Sequence, residues 1–479
     1  QFSKIKMDDY MPAFLENIKA AKAEIHQITT NTEAPTFDNT IAALEFSGQE
    51  LDRLSSVFFN LNSAETSEEM QKLAQEISPL LTEFGNDITL NEDLFKRVKT
   101  VFDNKEHFKL TSEQNTLLEK KHKGFVRNGA LLNEEQKTKL RAIDTQLAKL
   151  KLTFGENVLA ETNNYQLHIT EEEDLKGLPE GTVEAAKSLA ESKELNGWIF
   201  TLDYPSYIPF VTYADNRSLR KEMAIAAGKK AFQNNQFDNQ QNIKDIVRLR
   251  HERANLLGYK THSHFVLEER MAQTPEKVIS FSNDLLEKAK PAAKREFAEL
   301  TAFAAALDGI EQLEKWDGAY YSEKLKQKKF NLDDETLKPY FKLENVLNGA
   351  FTIANKLFGL TFTEIFDIDK YHKDVMSFEV TDDKNEFVAV FYADFFPRKG
   401  KRNGAWMTSY KSQSVKNGKN ERPHISNVCN FTPPTATKPS LLTFNEVTTL
   451  FHEFGHGLHG MLANTVYPSL SGTSVFWDF

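Results

Sequence analysis

Cysteine is nearly absent from this chain. Of 479 residues only Cys429 carries a thiol, so no internal disulfide is possible and the fold must rest on its core. No run of eighteen apolar residues occurs, which excludes a transmembrane helix and removes a membrane from the expected partners. Basic charge is in deficit: 59 Lys and Arg stand against 69 Asp and Glu, a net charge of -10. No cationic surplus is left to neutralise phosphates, so nucleic acid is not an expected partner. The chain opens at Gln1 rather than Met, which leaves both a removed leader and an excised segment open. The lack of disulfides fits a cytoplasmic protein, with a periplasmic one as the alternative.

What remains is ordinary globular material, 40% hydrophobic and 27% charged, long enough for two or more packed subdomains. Phenylalanine stands out at 37 residues, as expected where many helices pack through aromatic rings. Helical spacing dominates. Leu140, Ile143, Leu147, Leu150, Phe154 and Val158 recur at threes and fours, behind a start at Asn133. Met70, Leu73, Ile77, Leu80, Leu81 and Phe84 repeat the pattern around Pro79, a kink position. Further helices are expected over 214–257, 274–308 and 342–357. Strands are expected at 165–170, 198–202 and 424–431, and a hairpin around Asp382–Asn385. Residues 432–439 read as a loop. The basic run 397–404 reads as a solvated turn between two strands. A division into an N-terminal helical region, 1–160, and a second region, 161–479, is the working organisation.

Chemistry concentrates at the C-terminal end in HEFGH, residues 452–456. Thr443 followed by Glu446 is a capping box, which starts a helix there. On that helix Val447, Leu450, Phe451, Phe454, Leu458, Met461 and Leu462 gather on one side. His452, His456 and His459 fall opposite, with Glu453 beside them. Residues four apart lie one turn apart, so His452 and His456 can aim ring nitrogens at one ion. Zinc accepts neutral imidazole at about 2.0–2.1 Å and lowers the pKa of water to about 7. Glu453 lies off the ligand line and is placed to take the water's proton and pass it to a departing amine. His459 is seven residues from His452, about 10 Å along the axis. An unbroken helix cannot bring all three rings to one ion, unless Gly457 and Gly460 bend it. His251–Glu252 lacks a second histidine at four residues and reads as incidental. Cys429 reads as structural.

The run LFHEFGHGLHG at 450–460 and SGT at 471–473 resemble the thimet-oligopeptidase family of zinc peptidases, most closely its peptidyl-dipeptidase branch. NVCN at 427–430, FYADFF and GAWM between 391 and 407, DETLKPYF at 334–341, LLGY at 256–259 and the final Asp478–Phe479 agree with it. The resemblance runs through nearly the whole chain, more loosely in its first third. It implies a mainly α, ellipsoidal fold with a deep channel between two halves and a small β element beside the HExxH helix. It implies a monomer that hydrolyses short unfolded peptides by releasing C-terminal dipeptides. An endo-acting oligopeptidase and a non-catalytic helical peptide-binding fragment are the alternatives. The third zinc ligand is expected as a glutamate about two residues beyond Phe479, so this chain alone is expected to be inactive. His424, Ser426, Asn427, His459 and Gly472 are the expected substrate-side residues, with His424–Phe431 as the strand edge that holds substrate.

Overall fold

Helix starts are written locally as side-chain caps. Asn133 accepts from the Gln136 amide at 2.9 Å while Gln136 accepts from the Asn133 amide at 3.2 Å. The 31-residue helix Glu134–Asn164 follows. Thr36, Thr111 and Thr443 cap other helical segments in the same reciprocal way. The computed structural model describes residues 1–479 and is mainly helical. No helix is long and apolar enough to cross a membrane. Position 160, the working division, lies inside the Glu134–Asn164 helix.

The periodic stretch 214–257 is not one helix. It forms Arg217–Gly228 and Gln240–Leu256. Between them Ala231 and Asn234 adopt positive φ. The Asp238 carboxylate accepts from the Asn234 and Gln240 amides at 2.6 and 2.8 Å. Local side-chain acceptors of this kind compete with the helical ladder. The stripe on Glu134–Asn164 also ends early: Leu140, Ile143 and Leu147 are buried, but Phe154 is 40% exposed.

Two short strands, β1 (Leu167–Ile169) and β2 (Trp198–Phe200), pair antiparallel within an outlying helical cluster. The main sheet contains β3 (Thr361–Glu364), β4 (Met376–Thr381), β5 (Phe387–Asp394), β6 (Trp406–Lys411) and β9 (His424–Val428). A minor hairpin, β7 (Ser414–Lys416) with β8 (Lys419–Glu421), precedes β9. The sheet order is β3-β4-β5-β9-β6, and only the β5–β9 pair is parallel. The β4–β5 hairpin turns on Asp382, whose amide donates to Glu386 O, with Asn385 at φ 61.

Alternation gives the sheet two apolar faces. Phe378, Val380, Ala389, Phe391, Ala393, Ile425 and Cys429 meet Leu347, Ala350 and Ala354 of the Leu343–Phe358 helix, together with Leu450, Phe454 and Met461, in the largest core cluster. On the back face Val375, Val390, Tyr392 and Tyr410 meet Phe2, Val57 and Tyr371. The Phe2 ring sits edge-on to three tyrosine rings there, and Asp369 accepts from the Ser3 amide and hydroxyl. The two ends of the chain meet elsewhere too: Tyr467 joins the cluster of Ile25, Phe37, Leu94 and Leu117.

The basic turn 397–404 does join two strands, β5 and β6, but only part of it is solvated. Lys399 and Arg402 are exposed. Lys401 is buried, and its ammonium donates to the Asp394 carboxylate at 2.8 Å, to Asp394 O at 3.0 Å and to Phe396 O at 2.8 Å. Arg398 clamps the same carboxylate through two nitrogens at 2.8 and 2.7 Å and also pairs with Glu65. Tyr371 donates to Asp394 at 2.7 Å. Burial alone would raise the Asp394 pKa. The Arg398 hydrogen bonds and the Lys401 charge outweigh it and hold the carboxyl below its ordinary value.

Candidate metal centre

The HEFGH segment lies on the helix Phe444–Met461, here the histidine helix. Its start is doubly fixed. Thr443 accepts from the Glu446 amide at 3.1 Å, and Glu446 accepts from the Thr443 amide at 2.8 Å. Glu446 also accepts from the Thr432 amide and hydroxyl at 2.7 and 3.0 Å, which ties in the loop ahead of the helix.

The buried side of this helix is turned toward the glycines relative to the side its apolar residues alone mark out. Leu450, Glu453, Phe454, Gly457, Gly460 and Met461 are buried, whereas Phe451 and Leu462 are 36% and 39% exposed. The glycines are the reason. A Cβ at Gly457 would lie 2.8 Å from Asn427 Oδ1, and one at Gly460 would lie 2.6 Å from Met407 Cε and 2.8 Å from Ile425 Cδ1. These positions bring the helix onto β9 and β6 rather than bending it, and the helix runs unbroken to Met461.

His452 and His456 project from the exposed side. Their Nε2 atoms are 3.2 Å apart, with ring centroids at 4.8 Å and planes at 87°. Two nitrogens held at about 2.0–2.1 Å from one tetrahedral ion would be separated by roughly 3.3 Å. The pair therefore fits two positions on such an ion. No group of three or more His, Cys, Asp or Glu is arranged to hold a metal, so the chain brings two donors together. His459 is not a third: it is exposed on the same helix and borders a shallow groove with Gly472, Phe358, Leu462 and Val475. Gly472, at φ 57, packs its backbone against Gly460, where a Cβ would stand 3.1 Å from Gly460 Cα.

Glu453 is 7% exposed and lies on the sheet side of the helix rather than beside the histidines in solvent. Burial raises its pKa, and the charges of His452 and His456 and the Met407 amide pull the other way. Met407 belongs to β6, an edge strand of the sheet.

The strand assigned to substrate binding is placed differently from the sequence expectation. β9 lies between β5 and β6 with both edges paired, so it has no free edge. Ile425 and Asn427 along it, and Cys429 just past its end, face the histidine helix. His424 and Ser426 face the back of the sheet, where His424 stands by Tyr392 and Ser426 lies across from Tyr392 and Thr408. Burial, then Lys411 and Arg53, lower the His424 pKa. These two residues therefore do not join the histidine pair. Asn427 does reach it, through the main chain: its Nδ2 donates to Glu453 O at 2.6 Å. Cys429 is fully buried beneath the helix, and burial pushes its thiol well up.

Sequence reasoning placed a strand after the 397–404 turn but gave β6 neither a range nor a role, because register across a sheet is set by non-local pairing. Its one local signal is the run WMTSYK, rich in aromatic and β-branched residues.

Comparison with known proteins gives one family and consistent relatives. The profile described as Peptidase family M3 matches residues 210–479. A dipeptidyl carboxypeptidase of Escherichia coli (strain K12) is 39% identical over 480 residues, covering 100% of this chain and 70% of that protein. Oligopeptidase A of the same organism is 36% identical over 483 residues, covering 100% and 71%. A thimet-like oligopeptidase of Dictyostelium discoideum is 30% identical over 469 residues, covering 93% and 67%.

Proposed function

Since the chain belongs to peptidase family M3, we propose that it is a zinc-dependent peptidyl-dipeptidase acting on short unfolded peptides. The observation that carries this reading is the convergence of His452 and His456 Nε2 atoms at 3.2 Å, one residue from a buried carboxylate. His452 and His456 would hold the ion. Zinc there would supply Lewis acidity, acidifying water and polarising a peptide carbonyl.

The chain's own residues supply the rest. Glu453 accepts a proton from the attacking water and delivers it to the leaving amine. Burial raises its pKa, which strengthens the carboxylate as a proton acceptor. The buried face of the helix, seated on β9 and β6, fixes where Glu453 sits. β6 is the outermost strand of the sheet on the side of the histidine helix, so β6 rather than β9 is the strand along which an extended peptide would lie.

In the full-length protein, which is expected to carry the third ligand, His452→Ala is expected to abolish stoichiometric metal binding while leaving the fold intact, because the ring is exposed. Elemental analysis after dialysis checks this, and full zinc retention would refute the ligand assignment.

A second reading rests on the 36% identity to oligopeptidase A: internal cleavage without a free C-terminus. Peptide pairs with free and amidated C-termini separate the two. The dipeptidyl reading expects amidation to slow cleavage by about 100-fold or more, because a site built to pair a carboxylate is left unsatisfied. Equal rates would favour the endo-acting form.

A further inference from the structure

Asn427 is out of place as a core residue. It is 2% exposed, and its helix-facing neighbours on β9, Ile425 and Cys429, are apolar or weakly polar. Its Nδ2 donates to the main-chain carbonyl of Glu453 at 2.6 Å. Its Oδ1 is buried and accepts no hydrogen bond from any protein group. An unpartnered buried acceptor is a standing cost that an apolar side chain of the same size would avoid. Gly457, one turn beyond Glu453, is what admits the amide, since a Cβ there would fall 2.8 Å from Oδ1. The arrangement gives up stability, and what it secures is a directional bond midway along the helix, where the contact with the sheet is otherwise apolar.

That bond is at a decisive place. The apolar contacts of the histidine helix with the sheet, made by Leu450, Phe454, Met461 and the glycines, tolerate small slides and rotations, and the Arg422 guanidinium, which donates to Met461 O at 2.6 Å and to Val388 O at 2.7 Å, ties only the C-terminal end of the helix. Glu453 O is the helix atom that a buried sheet side chain grips. Asn427 also pairs across strands with Met407 of β6. One asparagine thus spans β9, β6 and the turn of helix between His452 and His456.

We infer that Asn427 is a positioning residue, which fixes the rotation and axial register of the histidine helix on the sheet through Glu453 O and so sets where the Glu453 carboxylate stands relative to the β6 edge. It does not touch substrate or metal. The inference rests on the peptidase reading for its consequence in turnover, but its structural half can be tested alone.

The test uses Asn427→Leu, close in size with no polar atom, and Asn427→Asp, close in shape with no donor. Both are made in the full-length protein. In the metal-free form, amide hydrogen exchange over 453–457 is expected to accelerate about tenfold in both variants, with the melting temperature of the Leu variant no lower than wild type. With zinc restored, kcat is expected to fall about tenfold or more, while KM and zinc affinity stay within about threefold. Unchanged exchange in both variants would overturn the inference whether or not the protein is a peptidase. Faster exchange with kcat retained would overturn the positioning role. A fall in kcat matched by a fall in folded fraction would reduce Asn427 to a stability residue and overturn it too. If wild type itself shows no chelator-sensitive hydrolysis, the peptidase reading fails, and the exchange measurement alone decides whether the brace exists.

Discussion

Glu453→Gln is expected to leave zinc content unchanged and to lower kcat by about 10²- to 10⁴-fold, the usual contribution of a positioned general base. The side chain is 7% exposed and packed on the sheet side of the histidine helix, so the near-isosteric amide keeps the volume and the seat. What it loses is the ability to take a proton. The histidines are untouched, and their 3.2 Å approach is set by the helix rather than by Glu453. Steady-state kinetics with elemental analysis on the same preparation checks both halves. A variant with near-normal kcat would remove Glu453 from the chemistry, and one that loses its zinc would make it a metal-site residue instead.

The second large effect concerns stability. Asp394→Ala is expected to destabilise the fold by about 3–5 kcal/mol, the range for breaking a buried ion pair from one side. Asp394 and the Lys401 side chain are both fully buried, and Arg398 is largely so. Removing the carboxylate leaves the buried Lys401 ammonium without a counter-charge and Arg398 with Glu65 alone. Lys401→Met is expected to cost less, because Arg398 still holds Asp394 and the apolar stem is preserved. Urea unfolding of the two variants orders them, and equal losses would contradict this account. The pH dependence follows from the lowered Asp394 pKa. A carboxylate below its unfolded value contributes stability at pH above that unfolded value and loses it as pH falls through the folded one. Asp394→Asn should therefore lower stability at neutral pH and flatten the acid limb of the stability curve.

Much of this was legible because it is local. The Thr443–Glu446 cap, the i,i+4 histidines and the Asn133–Gln136 cap each need only a few neighbouring residues, and each is seen in the structure. The β4–β5 hairpin was legible for the same reason. What escaped depends on partners far along the chain. A helical wheel ranks residues by polarity, so it put Phe451 and Leu462 inside and left Glu453 on the outer side. The structure turns the helix because Gly457 and Gly460 allow β9 and β6 to approach. Nothing near 424–428 says that this strand lies between β5 and β6, so its local pattern does not distinguish an edge strand from a central one. Lys401 looks like a surface cation until Asp394, seven residues earlier and in the next layer, is placed beside it. The merged helix 214–257 failed because apolar spacing continues through a loop whose break is made by Asp238.

The sheet order also constrains how the molecule is assembled. β5 and β6 are consecutive in the main sheet, yet they are not neighbours, and the gap between them is filled by a strand made later. During synthesis the earlier strands can zip as a hairpin, but the slot stays open until residues 424–428 have emerged, and the histidine helix begins only sixteen residues after that. Long-range insertion of this kind is slow. The unfilled slot exposes backbone on both sides, a hazard for aggregation during that wait. The turn that carries His452 and His456 is consequently among the last parts to find its seat, so a nascent chain cannot bring that histidine pair to its final place before the sheet beneath it has closed.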